Sequence, residues 1–408
     1  MDMVIEKLTF VLGADAHECF FGATDAEMSQ AEVYKFMTPV FGKGVVYDAP
    51  QRIMQEQLKF MRSSINTTNL QKYVPIIIDE ANKYFAQWGE SGEINLLDEL
   101  SQLIILTASA TLMGPEIRQH LFTQVADLYH QLDEGITPLS VFFPNAPLPG
   151  HLRRNAAREA MVKLFGDVIK SRRDKGQRHD DVLQVFMEAK YRNGETLSDQ
   201  QVTGLMIALL FAGQHTSSIT STWTALNLLK HPELMAEVMD ELHRVLPADT
   251  SNMNYDQVVS LDLLKNCMKE SIRMYPPLIM LMRKVKKDTK CGKYIIPAGD
   301  IIVASPAVSM SLPQPDGSFT NPEKYDPHRY DEDRKEDAGK FAYVGFGGGL
   351  HACMGERFGY LQVTTILSVL LSNFELEMVE PELPQPDYKA MVVGPEGQHT
   401  RVRFRRKK

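Results

Sequence analysis

The chain has 408 residues, of which 44% are apolar and 24% charged, and its formal net charge is −8. These proportions are typical of a globular protein and exclude wholesale disorder, and the acidic balance argues against nucleic acid as a main partner. The four cysteines are far apart in sequence and form no CxxC pair. That spacing excludes a zinc ribbon, argues against a disulfide framework and favours a reducing compartment. No signal peptide is visible, and the longest apolar run, 202–213, is too short to span a bilayer.

In chain order, the first predicted element is a strand over residues 4–12, followed after Gly13 by a short helix. The next segment, 31–48, is predicted to be loop-like because Pro39, Gly42 and Gly44 interrupt a series of aromatic residues. Aromatic side chains in irregular structure either line a pocket or form a small hydrophobic cluster beneath a loop. The sequence leaves both alternatives open.

Helical periodicity follows over 51–65, 70–88, 96–113, 116–133 and 151–175. The connection 136–150 (ITPLSVFFPNAPLPG) is rich in proline and apolar residues. It is predicted to be a loop that dips into a membrane, a substrate-entry loop or a buried connector.

A long helix is predicted to begin at the capping box Ser198–Gln201 and to continue to Lys230. Such a helix has a length of roughly 48 Å, enough to cross a whole domain. Gly213 weakens its centre, and Thr216 is expected to bond back to a carbonyl one turn earlier. The weak point either admits a ligand or water, or is a tolerated glycine packed by neighbouring helices.

A later helix, 257–274, carries Glu270 and Arg273 three residues apart on one face. The two form either a buried structural pair or, as the default, a charged surface pair of little energetic value. Short strands are predicted over 278–308, a loop with an aromatic–Arg pattern over 325–330, a strand over 373–381 and a hairpin over 391–405.

The segment 346–355 (FGGGLHACMG) places three glycines directly before Cys353, and a helical pattern follows at once. Glycines let backbone N–H groups approach a buried atom, and a thiolate at a helix start is stabilised by those groups and by the helix dipole. Phe346 can shield this sulfur, and His351 supplies a polar group nearby. The arrangement suits an axial ligand of haem iron. A phosphate-binding P-loop is excluded because no Lys-Ser/Thr follows the glycines. A buried, inert cysteine remains an alternative.

Together, in this order and spacing, these motifs resemble the cytochrome P-450 family over essentially the whole chain from about Lys7. Within it they resemble the sterol 14α-demethylases. Residues 213–218 (GQHTSS) have His215 where most P-450s have an acid, and 34–48 (YKFMTPVFGKGVVYD) matches a diagnostic segment of this group. The resemblance implies a mainly α fold with a smaller β-rich region. It also implies one catalytic domain over 1–408, expected to lack the family's N-terminal membrane anchor and first helix.

By this resemblance the chain is expected to be a haem-thiolate monooxygenase that removes the 14α-methyl group of an obtusifoliol- or lanosterol-type sterol. Three successive oxidations would each use dioxygen and two electrons from NADPH, and the last would release formic acid. The expected cofactor is haem b, and the expected partners are the sterol, an NADPH-dependent P-450 reductase and, in a full-length form, a membrane surface. The expected location is the cytoplasmic face of the endoplasmic reticulum membrane. The alternatives are a P-450 for another hydrophobic substrate and a non-catalytic chain that binds haem or sterol.

The resemblance also implies roles for particular residues. Cys353 would be the haem thiolate, with Phe346, Gly349 and Gly355 forming its turn. Other residues would bind the haem propionates: His351, Arg283, Tyr34, Tyr47 and Gln30. Thr216 would help to deliver protons to dioxygen, and His215 would pair with Asp133 to couple proton entry to redox-partner docking. Glu270, Arg273 and Arg329 would form a structural cluster near the haem. The sterol cavity would be lined by Phe36, Met37, Phe41, Ala212, Leu278, Met280, Met282 and Met391.

Phe36 is the informative pocket position, because members of the group that prefer 4-monomethyl sterols resemble this chain in having Phe there. Two departures from the family pattern are visible. Leu350 stands before His351, where Arg is usual. The cation that helps to bind a propionate from the helix 51–65 is not evident, since Gln55 lies near its expected place, with Arg52 and Lys59 one turn to either side.

Overall fold

Helices make up most of the computed structural model, which describes residues 7–313 and 317–407. The α-helices in this part of the chain are α1 (Ala14–Phe21), α2 (Gln30–Val33), α3 (Thr38–Phe41), α4 (Gln51–Ser64), α5 (Thr67–Phe85), α6 (Leu96–Ala108), α7 (Phe122–Glu134), α8 (Pro138–Phe142), α9 (Pro149–Lys175), α10 (Val182–Glu188), α11 (Asp199–Lys230), α12 (Pro232–Val245), α13 (Tyr255–Val259), α14 (Asp262–Met274), α15 (Pro306–Ser309) and α16 (Glu356–Asn373). Two π-helical stretches, Ser109–Met113 and Ile117–Leu121, connect α6 to α7. Short 3-10 turns occur at Tyr34–Met37, Val46–Asp48, Thr250–Asn252, Pro327–Tyr330, Gly349–His351 and Gly397–His399.

The strands form three small sheets. They are β1 (Leu8–Val11), β2 (Met28–Ser29), β3 (Ser91–Asn95), β4 (Leu281–Val285), β5 (Thr289–Cys291), β6 (Tyr294–Ile296), β7 (Ile301–Ala304), β8 (Phe374–Met378) and β9 (Arg401–Arg406). The first sheet has the order β1-β7-β4-β2, with β1 parallel to β7 and the other pairs antiparallel. The second has the order β3-β9-β8, and β5 pairs with β6. Helices therefore dominate, with a smaller β-rich part, as predicted.

Helix α11 is the central element of the core. Its start matches the prediction, because the Ser198 hydroxyl accepts from the Gln201 N–H at 3.2 Å and the Gln201 side chain accepts from the Ser198 N–H at 2.9 Å. Most of its 32 residues are buried, and it packs against α6, α9, α14 and α16. Helices α6 with its π-helical extension and α11 are long and apolar enough to cross a membrane, but both lie mostly inside the protein, as core helices do.

Three predicted elements differ from the structure. The segment 31–48 is a series of short helical turns rather than a loop. The helix predicted over 257–274 is two helices, because the Glu241 carboxylate accepts from the N–H groups of Leu263 and Leu264 and so starts α14 anew. The hairpin predicted over 391–405 is wrong. Strand β9 pairs with β3 and β8, and the N–H of Val393 donates to the carbonyl of Pro277.

All four cysteines lie in the described part of the chain, and two of them, Cys19 and Cys291, form a disulfide. The sequence analysis argued against a disulfide framework and did not predict this bond, since 272 residues separate the two positions. Only the fold brings α1 beside β5. Cys267 and Cys353 are free thiols.

Candidate haem site

Cys353 lies in a tight turn between the first sheet and α16. Its N–H donates to the Phe346 carbonyl at 2.8 Å, and the turn requires positive φ at Gly347 (70°) and Gly349 (63°). A Cβ at Gly349 would lie 1.9 Å from the carbonyl oxygen of Phe21, so this position has no room for a side chain. The glycines that the sequence analysis singled out therefore fix the cysteine against α1.

The Cys353 side chain is accessible from an internal cavity. Protein atoms nevertheless surround the thiol closely, and this burial raises its pKa, although backbone N–H groups of Gly355 and Glu356 bond to the sulfur and oppose the shift. Desolvation disfavours a bare thiolate, whereas a bound metal cation deprotonates a coordinating thiol outright. A buried, inert cysteine would have its sulfur packed away from any cavity. Cys353 instead lines one.

The cavity beside Cys353 has a volume of about 300 Å³ and lies between the middle of α11 and the start of α16. A Cβ at Gly213 on α11, or at Gly359 on α16, would meet no heavy atom within 4 Å. Its wall is mostly apolar and includes Met54, Leu58, Met61, Ile65, Leu112, Leu209, Leu210, Met268, Ile272, Phe346 and Phe358. Several polar or charged residues also line it: Gln30, Tyr47, Arg62, Thr216, Ser217, Thr220, His351 and Gln362.

Four of the five residues expected to bind propionates lie close to one another: Tyr34, Tyr47, Gln30 and Arg283. Tyr34 and Tyr47 are stacked with ring centroids 5.3 Å apart, and burial raises the pKa of both phenols, which keeps them protonated as hydrogen-bond donors. Gln30 lies in the same short stretch and lines the cavity with Tyr47. Arg283 is buried and donates to the Phe20 carbonyl at 2.6 Å, and its charge partly opposes the rise in the Tyr34 pKa.

The fifth, His351, is bonded to an acid that the sequence analysis missed. Its Nε2 lies 2.5 Å from Oδ1 of Asp25, and the two side chains are only 9% and 7% exposed. The Gln51 amide also donates to Asp25 at 3.2 Å. No motif marks Asp25, so only the fold could have identified it.

The predicted proton-delivery residues are brought together. The Asp133 carboxylate on α7 and Nε2 of His215 on α11 are 3.1 Å apart, and both side chains remain about one-third exposed. The Thr216 hydroxyl donates to the Ala212 carbonyl at 2.7 Å, the bond predicted from the sequence. Thr216 lines the cavity, whereas the side chain of the preceding residue, His215, is partly exposed to solvent. One segment of α11 therefore connects the cavity with the surface.

The Glu270 cluster is buried, and the default prediction of a surface pair is wrong. Glu270, Arg273 and Arg329 are fully buried. The carboxylate accepts from Arg273 at 2.8 and 2.9 Å, from Nε of Arg329 at 2.9 Å and from the Tyr330 hydroxyl at 2.7 Å. The Arg273 guanidinium also donates to the carbonyls of Met310 and Pro322, so every charge in the cluster has a partner. The cluster fastens α14 to the segment that leads into the cysteine turn.

The predicted sterol-contact residues are more dispersed. Of the eight, Ala212 lines the 300 Å³ cavity. Phe36 and Phe41 are buried in the segment 31–48, the aromatic segment. The ring centroid of Phe41 lies 6.2 Å from those of Phe211 on α11 and of Tyr47. The N–H of Met282 donates to the Tyr34 hydroxyl, Met37 is partly buried, and three residues are more than two-fifths exposed: Leu278, Met280 and Met391.

The sequence analysis also missed Arg62, which lies at the cavity wall one turn after Leu58 on α4 and close to Ile65, the residue that follows this helix. Gln55, the position considered there, is exposed, and Arg52 forms an ion pair with Glu56. Helical spacing from Leu58 would have identified Arg62, since residues four apart share a face.

One accessible thiol, an apolar slot flanked by two glycines, and polar groups at its wall fit a haem, whose porphyrin is flat and apolar and whose propionates are anionic. The comparisons with known proteins agree. The cytochrome P450 family model matches residues 2–400. The chain therefore belongs to the cytochrome P450 family, whose members carry haem iron and use dioxygen with electrons from a redox partner.

Relatives with assigned activities are similar over the full chain. An "Obtusifoliol 14-alpha demethylase" of Triticum aestivum is 45% identical over 100% of this chain and 90% of its own length. A "Sterol 14-demethylase" of Arabidopsis thaliana is 45% identical over 100% of this chain and 84% of its own. A "Lanosterol 14-alpha demethylase" of Mus musculus is 40% identical over 99% of this chain and 80% of its own. The solved structure of "Retinoic acid bound cyanobacterial CYP120A1" superposes with a TM-score of 0.88 at 21% identity, covering 98% of this chain and 90% of that one. This likeness concerns the fold alone.

Proposed function

We propose that this chain is a sterol 14α-demethylase, a monooxygenase that removes the 14α-methyl group of a sterol precursor. The observation that carries the proposal is the placement of one accessible thiol, Cys353, across a cavity from the Gly213–Thr216 segment of α11, with the Asp133–His215 pair on the outer side of that segment. The relatives at 38–45% identity over 99–100% of the chain support the choice of sterols over other apolar substrates.

The residues that hold the cofactor follow from the site. Cys353 would bind the iron of haem b, which when bound supplies the chemistry of dioxygen activation. Phe346 lines the cavity beside the thiol turn, Gly349 leaves room for the Phe21 carbonyl, and a Cβ at Gly355 would lie 3.8 Å from the sulfur. His351, Arg283, Tyr34, Tyr47 and Gln30 would bind the propionates, and Arg62 adds a cation to the wall.

Protons would reach the reacting centre through α11. The Asp133–His215 pair is partly exposed and can exchange protons with solvent, while the Thr216 hydroxyl faces the cavity and can hold a proton at Oγ1. The bond from Thr216 to the Ala212 carbonyl fixes that hydroxyl in place. The apolar wall excludes other water, which prevents protons from entering by uncontrolled routes.

Phe36 would determine which sterol is preferred. Its ring is buried 6.1 Å from that of Tyr34, so it shapes the wall of the aromatic segment. An aromatic ring there would crowd a second methyl group at C4, which predicts a preference for obtusifoliol-like over lanosterol-like substrates. One methyl group is worth roughly 10–200-fold in discrimination. Phe36→Leu should therefore raise relative turnover of lanosterol, and an unchanged ratio of the two turnover rates would rule this out.

The membrane contact would come from the connection 136–150 and the start of α9. Five apolar side chains there are exposed: Leu139, Phe142, Phe143, Leu148 and Leu152. The alternative of a buried connector is wrong for this stretch. An apolar surface patch of this kind fits a lipid interface. The patch supports contact with a membrane, and we propose the cytoplasmic face of the endoplasmic reticulum, where a reductase would supply the electrons.

The experiment is to load the chain with haem and supply NADPH, a P-450 reductase and either obtusifoliol or lanosterol. The 14-demethylated sterol and one equivalent of formic acid are expected, and both should be absent without reductase. Haem-loaded protein that gives a sterol-induced absorbance shift but no product would support the non-catalytic alternative. Turnover of fatty acids without turnover of either sterol would support a P-450 of different specificity.

A further inference from the structure

Arg158 on α9 binds backbone carbonyls of the aromatic segment. Its Nε donates to the Val40 carbonyl and its Nη2 to the Phe41 carbonyl, both at 3.1 Å. The side chain is half-buried, and among the residues that the structure describes it makes no ion pair with a carboxylate. Hydrogen bonds from a charged donor are roughly twice as strong as neutral ones. The charged Arg158 guanidinium therefore holds this piece of backbone in position.

The backbone that Arg158 holds is enclosed on two sides. Gly42 has φ of 103°, and a Cβ there would lie 1.8 Å from Nη2 of Arg158. On the other side, a Cβ at Gly204 of α11 would lie 2.2 Å from the Phe41 carbonyl oxygen. Both glycines are needed for the guanidinium and α11 to reach the same carbonyl.

One turn earlier on α9, Arg154 binds the connection that follows α7. Arg154 is buried and donates to the Pro144 carbonyl at 2.8 Å and to the Gly135 carbonyl at 3.4 Å. The buried His151 adds a bond between its Nδ1 and the Ala146 carbonyl at 2.9 Å. One helix thus fastens both the exposed apolar connection and the aromatic segment.

We propose that Arg158 is a positioning residue for sterol binding, and that Arg154 and Arg158 form an arginine clamp that holds these two segments to α9. The inference rests on the proposed function, because it takes the aromatic segment to be a wall of the sterol site. With the clamp intact, Phe36 and Phe41 keep fixed positions relative to α11.

The test uses the full, haem-loaded chain and the variants Arg158→Ala and Arg158→Lys. The matched control is Arg153→Ala, an exposed arginine on the same helix that lies 4.0 Å from the exposed Glu134. The dissociation constant for obtusifoliol is measured from the sterol-induced absorbance shift. We expect about tenfold weaker binding for Arg158→Ala, equivalent to about 1.4 kcal/mol, partial recovery for Arg158→Lys and no change for the control. The carbon monoxide spectrum should stay the same in all three.

Hydrogen–deuterium exchange supplies a second measurement. Amides of residues 38–46 should exchange faster in Arg158→Ala, while those of 136–146 keep their parent rates. Unchanged sterol affinity, or a loss of affinity that accompanies a changed carbon monoxide spectrum, would overturn the positioning role. If the parent chain bound no sterol, the proposed function would fail. The clamp would then be tested by exchange alone: faster exchange confined to 38–46 would support it, and any other pattern would overturn it.

Discussion

Replacing Glu270 by glutamine should cost more stability than any single surface change. The carboxylate is fully buried and accepts from two arginines, from the Tyr330 hydroxyl and from the N–H of Asp326 at 3.1 Å. Glutamine keeps the shape of the side chain but removes its charge. Its NH2 group would also face N–H and O–H groups that need an acceptor. The Arg273 guanidinium would then remain buried with no carboxylate partner, whereas Arg329 would keep its ion pair with Glu336 at 2.7 Å. Breaking a buried ion pair from one side costs about 3–5 kcal/mol, against a total stability of about 5–15 kcal/mol.

Urea unfolding followed by far-UV circular dichroism measures this effect. The control is Glu375→Gln, which removes an exposed pair with Arg405 and should leave the unfolding midpoint unchanged. The reasoning predicts a large downward shift of the midpoint for Glu270→Gln and reduced haem occupancy, because the cluster fastens the segment leading to Cys353. A loss of unfolding free energy below about 1 kcal/mol would refute this reasoning, because a buried charge without a partner destabilises the fold by more than that.

Three further predictions follow from the site and its surroundings. Gly349→Ala should lower haem occupancy and the thermal unfolding midpoint, because φ is 63° and the new Cβ would meet the Phe21 carbonyl; normal occupancy would contradict this. Asp133→Asn should reduce sterol turnover by about 100-fold while the sterol-induced absorbance shift is retained, since the pair with His215 would be lost; unchanged turnover would exclude a role in proton delivery. His17 is buried and bonded to Ser309, and burial lowers its pKa below 6.5. Below pH 6.5 His17 therefore binds a proton more readily in the unfolded chain than in the folded one, so its contribution to stability should fall from pH 7.5 to 5.5, and His17→Gln should remove that part of the slope in urea unfolding.

Much of the fold could be predicted because local signals were strong. The capping box at Ser198 and the periodicity up to Lys230 placed α11 at its observed bounds. The start of α14 could not be predicted in this way, because the side chain that caps it, Glu241, comes from another helix. Strand β9 likewise depends on partners about 30 and 310 positions earlier in the chain, which no local pattern contains.

For the site, spacing predicted residues that lie on one element or in one motif. Cys353 and its glycines, and Thr216 with its bond to Ala212, are of this kind. Asp25 could not be found, because its partner His351 lies 326 positions away and an aspartate after a helix has no distinguishing signal. The disulfide between Cys19 and Cys291 has the same origin, since contact between distant segments is a property of the fold.

The most direct test of the central claim is the reduced, carbon monoxide-bound absorbance spectrum of the haem-loaded chain. The account predicts the red-shifted Soret band of a thiolate ligand, its loss in Cys353→Ala and its retention in Cys267→Ala, whose thiol is buried away from the cavity. A histidine-ligated spectrum, or an unchanged band in Cys353→Ala, would contradict the assignment of Cys353 as the haem ligand.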